Sequence, residues 1–133
     1  MNIQSEQEML EFGRNYAKKL TRPAIIELVG DVGVGKTTFT RGLAEGLGVR
    51  EVVTSPSYVI SKTYGLPDGG RLIHYDFYRL PEPGLMISDL EEAINDSGNI
   101  IVIEWGESVA DILPKKHHKI EIRYNEKGRE VII

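Results

Sequence analysis

The segment Gly30–Thr37, with the sequence GDVGVGKT, constrains the fold of this chain more than any other feature. It matches the pattern G-x-x-x-x-G-K-[ST], whose glycines let the backbone wrap closely around anionic oxygens and adopt conformations that a Cβ would forbid. The apolar run Ala24–Val29 before it predicts a buried strand, and apolar residues at helical spacing from Phe39 to Leu47 predict a helix after it. A strand, a glycine loop and a helix in this order predict a loop that binds phosphate groups.

The predicted loop offers several ligands to ATP and its Mg²⁺ ion. Its N–H groups point inward at the phosphates, and the following helix adds the N–H groups and the positive dipole end of its first turn. Lys36 is expected to reach the β- and γ-phosphates, Thr37 to ligate Mg²⁺ through its hydroxyl, and Thr38 to contact the α-phosphate. The nucleotide-binding candidates in this segment are Asp31, Gly33, Val34, Gly35, Lys36, Thr37 and Thr38.

Two acidic residues that close predicted strands are candidates for metal binding and for catalysis. Glu104 ends the run IIVIE, and Asp76 ends the run LIHYD. Nucleotides bind in the crevice at the carboxyl ends of such strands, where Mg²⁺ needs only a hydroxyl, phosphates and one or two carboxylates. Either acid could hold the metal while the other orients the attacking water, so the metal candidates are Thr37, Asp76 and Glu104. The catalytic candidates are Lys36 and the same two acids.

The remaining patterns predict an α/β fold in one P-loop domain that spans residues 1–133. An S-x-x-E capping pattern at Ser5 opens a helix over residues 5–20, and a second one at Ser88 opens a helix to about Asp96. Further strands are predicted at Tyr58–Tyr64, Arg71–Tyr75, Ile100–Ile103, His118–Tyr124 and Arg129–Ile133, with a short helix at 106–112. Together they predict a three-layer sandwich with a mixed sheet, in which parallel strands surround the glycine loop and antiparallel hairpins complete the sheet.

Composition excludes several classes of protein. The net charge of −4 over 133 residues argues against a strongly basic face for nucleic acid. The absence of cysteine excludes disulfides and thiolate metal sites. No apolar run approaches the roughly 20 residues that span a bilayer, and the N-terminus lacks the apolar core of a secretory signal. We therefore expect a cytoplasmic protein that does not associate with membranes.

Four functions compete for a phosphate-binding loop in a chain of this size. They are an ATP hydrolase that drives partner proteins, a small-molecule or nucleotide kinase, a GTPase switch, and a nucleotide-sensing assembly module in which binding rather than turnover matters. Guanine-specific switches carry the motifs N/T-K-x-D and D-x-x-G, and neither occurs in the sequence. A kinase often closes an arginine-rich lid over the phosphates, but the arginines beyond the loop helix are scattered. An ATP hydrolase fits best.

The motifs in their order along the chain resemble the TsaE family. After the glycine loop come SPSY at 55–58, HYDFYRL at 74–80 and IEWGE at 103–107. The glycine loop alone is common to many nucleotide-hydrolysing proteins, whereas the later motifs are far more specific. The resemblance implies a weak ATPase that acts with the TsaB–TsaD heterodimer, in which TsaD transfers the threonylcarbamoyl group to tRNA to make threonylcarbamoyladenosine. ATP hydrolysis would reset that complex, and tRNA would be reached only through the complex.

The resemblance also implies roles for individual residues. Thr37 and Glu104 would ligate Mg²⁺, and Asp76 would be the second acid of the site. The segment 55–58 would form a switch-like loop over the γ-phosphate. Residues that would lie near the nucleotide are Trp105, Arg129 and, by a looser match, Glu6. The family commonly has threonine at the position of Ser57.

Four features remain open from the residues alone. Trp105 follows a predicted buried strand and is equally well explained as a core aromatic side chain. His74 alternates with apolar neighbours on a strand, which favours a hydrogen-bonded histidine of the sheet over a ligand. Tyr78 and Arg79 could close over the phosphates or face a partner. The basic cluster Lys115–Lys119 is best explained as a solvated loop, with contact to tRNA or to an acidic partner as the alternative.

Overall fold

The computed structural model describes residues 1–56, 60–78 and 84–133, and the strands in these ranges form one mixed sheet. In chain order they are β1 (Asn2–Ile3), β2 (Ala24–Val29), β3 (Ser61–Gly65), β4 (Arg71–Asp76), β5 (Asn99–Glu104), β6 (His118–Asn125) and β7 (Gly128–Ile132). Their spatial order is β1-β7-β6-β2-β5-β4-β3. The central strands β6, β2, β5 and β4 are parallel, while β3, β7 and β1 pair antiparallel with their neighbours. The predicted mixed sheet with antiparallel hairpins is confirmed.

Helices cover both faces of the sheet. Helices α1 (Glu6–Lys19) and α2 (Lys36–Gly46) pack on one face, and α3 (Leu85–Ile94) and a short 3-10 helix (Gly106–Ile112) pack on the other. Each face has its own cluster of buried apolar side chains, so the central strand β5 is buried along its whole length. This confirms the three-layer sandwich and explains why β2 and β5 have nearly continuous apolar sequences. In the described ranges, the helices are too short or too polar to cross a membrane.

The capping pattern at the first helix is confirmed in detail. Ser5 is the N-cap of α1, and its hydroxyl accepts a hydrogen bond from the N–H of Glu8 at 3.1 Å. The Glu8 carboxylate in turn accepts from the N–H of Gln4 at 2.8 Å. This exchange satisfies N–H groups that would otherwise lack a partner at the start of the helix.

The second predicted capping box is wrong, because α3 begins one turn earlier than Ser88. The helix starts at Leu85 with Gly84 as its N-cap, and Ser88 therefore lies inside it. Met86, Leu90 and Ile94 recur every four residues and pack against the same apolar cluster. Burial of this face extends the helix towards the N-terminus and outweighs the local preference of serine for a cap.

Two further differences concern strands. The short strand β1 pairs with β7 and was absent from the prediction, because two residues carry no recognisable periodicity. The predicted strand from Tyr58 is described from Ser61 onwards. Residues 57–59 and 79–83 lie outside the described residues, and the predictions for Ser57, Tyr58 and Arg79 fall among them.

Candidate functional site

Strand register brings the predicted site residues to one edge of the sheet. Glu104 at the end of β5 is paired in register with Leu28 of β2 on one side and with Asp76 of β4 on the other. The glycine loop leaves β2 one residue after Leu28, at Val29. A cleft of about 380 Å³ opens at this edge and is lined by Val32, Gly33, Gly35, Lys36, Thr37, Thr38, Ser55, Asp76, Tyr78, Glu104 and Trp105. The carboxyl ends of three parallel strands thus converge on the loop, as the crevice rule for α/β sheets requires.

The glycine loop has the backbone geometry that phosphate binding needs. Gly33 and Gly35 have φ values of +81° and +119°, in the left-handed region that residues with a Cβ rarely adopt. Gly35 is also the N-cap of α2 and has no side chain that could bond to the first N–H groups of the helix. The N-terminus of α2 therefore presents its N–H groups and its positive dipole end to the cleft.

Lys36 is the buried cation of the cleft, with a side chain only 6% exposed. Its ammonium donates a hydrogen bond to the carbonyl oxygen of Gly30 and lies 3.9 Å from Oε1 of Glu104. Burial lowers the pKa of Lys36, while the charges of Glu104 and Asp76 oppose that shift. The protein therefore surrounds this ammonium with a carbonyl and carboxylates, which are groups that a phosphate can replace as acceptors.

The two acidic candidates are both buried and adjacent to Lys36. Glu104 is 4% exposed, and its Oε2 lies 2.5 Å from Nε2 of His74. Asp76 is 5% exposed, and its Oδ1 accepts a hydrogen bond from the N–H of Tyr78 at 2.9 Å. Each carboxylate is thus held by a neighbour while lining the same cleft as Thr37. A hydroxyl and two carboxylates in one cleft are hard oxygen ligands, and they fit the preference of Mg²⁺.

A second cavity of about 210 Å³ lies beside the loop and contains the two outlying candidates, Glu6 and Arg129. It shares Gly33, Gly35 and Thr38 with the main cleft. The guanidinium of Arg129 lies 3.5 Å from the carbonyl oxygen of Gly33 and 5.4 Å from the ring centroid of Tyr124. Glu6 forms an ion pair with Arg41 at 3.3 Å. Both candidates therefore flank the loop without entering the cleft of Lys36.

Two predicted loop residues do not line either of these cavities. Val34 is 1% exposed in the apolar core, and its N–H donates to the carbonyl oxygen of Asp31 at 3.2 Å. Asp31 is exposed and lines a separate cavity of about 130 Å³ together with Trp105 and Glu107. Neither residue lines the cleft of Lys36, and the contact of their backbone N–H groups with phosphates stays a prediction.

Three lining residues were not among the predicted ligands. Val32 is 68% exposed at a variable position of the loop pattern, so no local signal marked it. Ser55 belongs to the loop expected to cover the γ-phosphate, and the structure places it in the cleft. Tyr78 also lines the cleft, and its ring packs against Trp105 with 4.8 Å between centroids. The motifs had already placed Ser55 in a loop over the γ-phosphate and Tyr78 among the residues that could close over the phosphates, so of these three residues only Val32 lacked a signal.

Trp105 lies both against the apolar core and at the cleft, the two positions that the sequence left open. It is half-buried against the apolar cluster on the α3 face, and it lines the cleft. The ammonium of Lys36 lies 4.3 Å from the centroid of its ring, within the range of a cation–π interaction. Its φ of +57° places this non-glycine residue in the left-handed region, which marks a constrained turn directly after β5.

The contact between Lys36 and Trp105 predicts an optical signal for ligand binding. Trp105 is the single tryptophan of the chain. Phosphates that draw the Lys36 ammonium away from the indole should change the tryptophan emission, with saturation as ATP and Mg²⁺ are added. A fluorescence titration measures this change, and K36M is the control because it removes the charge at this position. A saturable change of the same size in K36M would contradict the prediction.

Comparisons with known proteins identify a family that the whole chain resembles. A family model described as "Threonylcarbamoyl adenosine biosynthesis protein TsaE" matches residues 3–131. The chain is 44% identical to the tRNA threonylcarbamoyladenosine biosynthesis protein TsaE of Streptomyces coelicolor, over 86% of this chain and 78% of the relative. It is 36% identical to the protein of the same description from Haemophilus influenzae, over 97% and 84%. The crystal structure of YdiB from Bacillus subtilis superposes with a TM-score of 0.76 at 30% identity, covering 96% of this chain and 78% of that one.

Proposed function

The chain belongs to the TsaE family of threonylcarbamoyl adenosine biosynthesis proteins, and we propose that it supports this tRNA modification by binding and hydrolysing ATP with Mg²⁺. The observation that carries the proposal is the convergence of Lys36, Thr37, Asp76 and Glu104 on one cleft beside a glycine loop. This set supplies a cation and N–H groups for phosphates, oxygens for a metal, and carboxylates that can orient water.

The arrangement suits attack of water on the γ-phosphoryl group. The loop N–H groups and the N-terminus of α2 hold the phosphates in place, and Lys36 stabilises the negative charge of the β- and γ-oxygens. Thr37, with Asp76 or Glu104, would hold Mg²⁺, which neutralises phosphate charge when it is bound. The acid that does not hold the metal accepts a hydrogen bond from the attacking water and aligns it with the γ-phosphorus. As the new P–O bond forms, the bond from the γ-phosphorus to the β,γ-bridging oxygen breaks, ADP leaves, and the proton of the water departs with the product phosphate or to solvent. Positioning and charge stabilisation supply the catalysis, since no covalent step on the protein is required.

The proposed partners are the TsaB and TsaD proteins, through which the chain would reach tRNA in the cytoplasm. The net charge of −4 on this chain favours binding of the tRNA by the partners, because binding of the tRNA backbone requires many positive charges. Hydrolysis by the isolated chain is expected to be slow. The TsaB–TsaD pair would accelerate it, and turnover would return the complex to its starting state.

The proposal is tested by measuring ATP hydrolysis with and without the TsaB–TsaD pair. The chain alone should release phosphate slowly, and addition of both partners should raise the rate by about 10-fold or more. A 10-fold increase corresponds to an activation free energy lowered by roughly 1.4 kcal/mol. A complex that forms without any stimulation would contradict the role of hydrolysis. Transfer of phosphate to an added nucleoside or sugar would instead support a kinase.

A substitution at Glu104 separates hydrolysis from nucleotide sensing. In E104Q the carboxylate is replaced by an amide of the same shape, so turnover and tRNA modification should both fall while the protein still folds. E51Q is the matched control, because Glu51 is exposed outside the cleft. If E104Q loses turnover but supports tRNA modification at the normal rate, ATP acts as an assembly signal and the hydrolytic role is wrong.

A further inference from the structure

His74 is a fully buried histidine that the proposed mechanism does not use. It lies on β4 with 0% exposure, and its Nε2 is 2.5 Å from Oε2 of Glu104. Its other ring nitrogen, Nδ1, is buried and has no hydrogen-bond partner among residues 1–56, 60–78 and 84–133. The buried ring thus makes one close contact through Nε2 and leaves Nδ1 without a partner among the described residues, and a buried polar atom of this kind needs a physical explanation.

The sheet register explains why the two side chains meet. His74 is paired in register with Val102 of β5, and Glu104 lies two residues further along that strand. Side chains two residues apart on a strand point to the same face, so His74 and Glu104 are diagonal neighbours on the α1–α2 face. The distance of 2.5 Å therefore follows from the strand pairing rather than from a flexible surface contact.

The donor and acceptor pattern identifies which ring nitrogen carries the proton. An ionised carboxylate is only an acceptor, so the contact is a hydrogen bond only if Nε2 donates. In this tautomer Nδ1 carries a lone pair and no proton, and burial of an unpaired lone pair costs less free energy than burial of an unpaired N–H. The opposite tautomer would bury an unpaired N–H at Nδ1 and direct a lone pair at the carboxylate of Glu104. The arrangement thus requires a proton on Nε2.

We propose that His74 is a positioning residue that fixes the orientation of the Glu104 carboxylate. Its Nε2–H holds Oε2, which leaves Oε1 directed towards Lys36 at 3.9 Å and towards the cleft. Hydrogen bonds from neighbouring groups orient the carboxylates that hold a metal or a water, and their loss commonly costs 10- to 100-fold in metal affinity. His74 would therefore act on Mg²⁺ through Glu104 without touching the nucleotide. This inference rests on the proposed function only for its effect on Mg²⁺.

Two substitutions test the positioning role through Mg²⁺ dependence. H74L fills the buried position with an apolar side chain that has no hydrogen-bond donor. H74Q carries an amide N–H that can reach the position of Nε2. We expect H74L to raise the Mg²⁺ concentration for half-maximal ATP hydrolysis by about 10-fold or more. H74Q should restore most of the difference, and binding of ATP without Mg²⁺ should be similar in both. If Glu104 orients the water instead, H74L should lower the maximal rate of hydrolysis. Equal Mg²⁺ dependence together with an equal maximal rate in wild type and H74L would overturn the proposal.

A spectroscopic measurement on nucleotide-free protein tests the contact itself. A two-dimensional ¹H–¹⁵N spectrum of the ring nitrogens should show His74 with a protonated Nε2 and an unprotonated Nδ1. H74Q assigns the signals, because only two other histidines are present, His117 and His118. A proton on Nδ1 and none on Nε2 would overturn the proposal. Failure of ATP to bind the wild-type protein would contradict the proposed function, while the spectrum would still decide whether His74 donates to Glu104.

Discussion

Replacement of Lys36 by alanine is expected to weaken the binding of ATP by about 10²- to 10⁴-fold. In the proposed complex the ammonium bonds to oxygens of both the β- and the γ-phosphate, and hydrogen bonds to charged groups contribute about 1.5–3 kcal/mol each. Two such contacts are worth roughly 3–6 kcal/mol, and each 1.4 kcal/mol corresponds to a factor of ten in affinity. The loss is large because the ammonium is already buried beside the loop and needs only to exchange acceptors.

Isothermal titration calorimetry of K36A against wild type measures this effect directly. K119A is the matched control, since Lys119 is exposed near the start of β6 and lies outside the cleft. K119A should bind ATP as wild type does, and thermal melting should show that both variants are folded. An affinity of K36A within about threefold of wild type would mean that Lys36 does not contact the phosphates.

Replacement of Gly42 by alanine is expected to destabilise the fold by about 3 kcal/mol, at the upper end of the cost of overpacking. Gly42 lies in α2, and a Cβ added there would sit 2.2 Å from the carbonyl oxygen of Leu10 in α1. Gly13 of α1 faces α2 at a similar distance, because a Cβ added there would sit 2.4 Å from the carbonyl oxygen of Phe39. These are backbone atoms of packed helices, so the strain cannot be relieved by rotation of a side chain.

Thermal unfolding of G42A should show a melting temperature about 10 °C below that of wild type, for a chain of this size. G65A is the matched control, because a Cβ added to Gly65 of β3 would meet no atom within 4 Å. Its unfolding free energy should stay within about 0.5 kcal/mol of wild type, as for most surface substitutions. Equal melting temperatures for G42A and G65A would show that α1 and α2 do not pack at this distance.

Local patterns predicted the elements whose signal lies within one segment. The strand β2, the glycine loop and α2 each have their own periodicity or motif, and the structure places them in that order. The acids Asp76 and Glu104 could also be expected to meet, because both close apolar strands and the ends of parallel strands share one edge. The start of α3 was missed because burial of Met86 and Leu90 outweighs the serine cap, and that burial depends on the whole sheet.

Contacts that depend on strand register could not be predicted from the sequence. His74 lies beside Glu104 only if β4 and β5 pair in the register that puts His74 opposite Val102, and no residue type in the sequence predicts that register. The contact of Lys36 with the ring of Trp105 depends in the same way on the turn after β5. The motif indicated which residue types the site needs, but it could not separate the loop residues that line the cleft from Asp31 and Val34.

The central claim is that the cleft beside the glycine loop captures the terminal phosphates of ATP together with Mg²⁺. Calorimetric titration of the folded wild-type chain with ATP and Mg²⁺ tests it most directly, with the same titration in the absence of Mg²⁺ for comparison. We predict saturable binding of one ATP per chain, weaker when Mg²⁺ is withheld. Absence of saturable binding by a chain that melts cooperatively would contradict the claim.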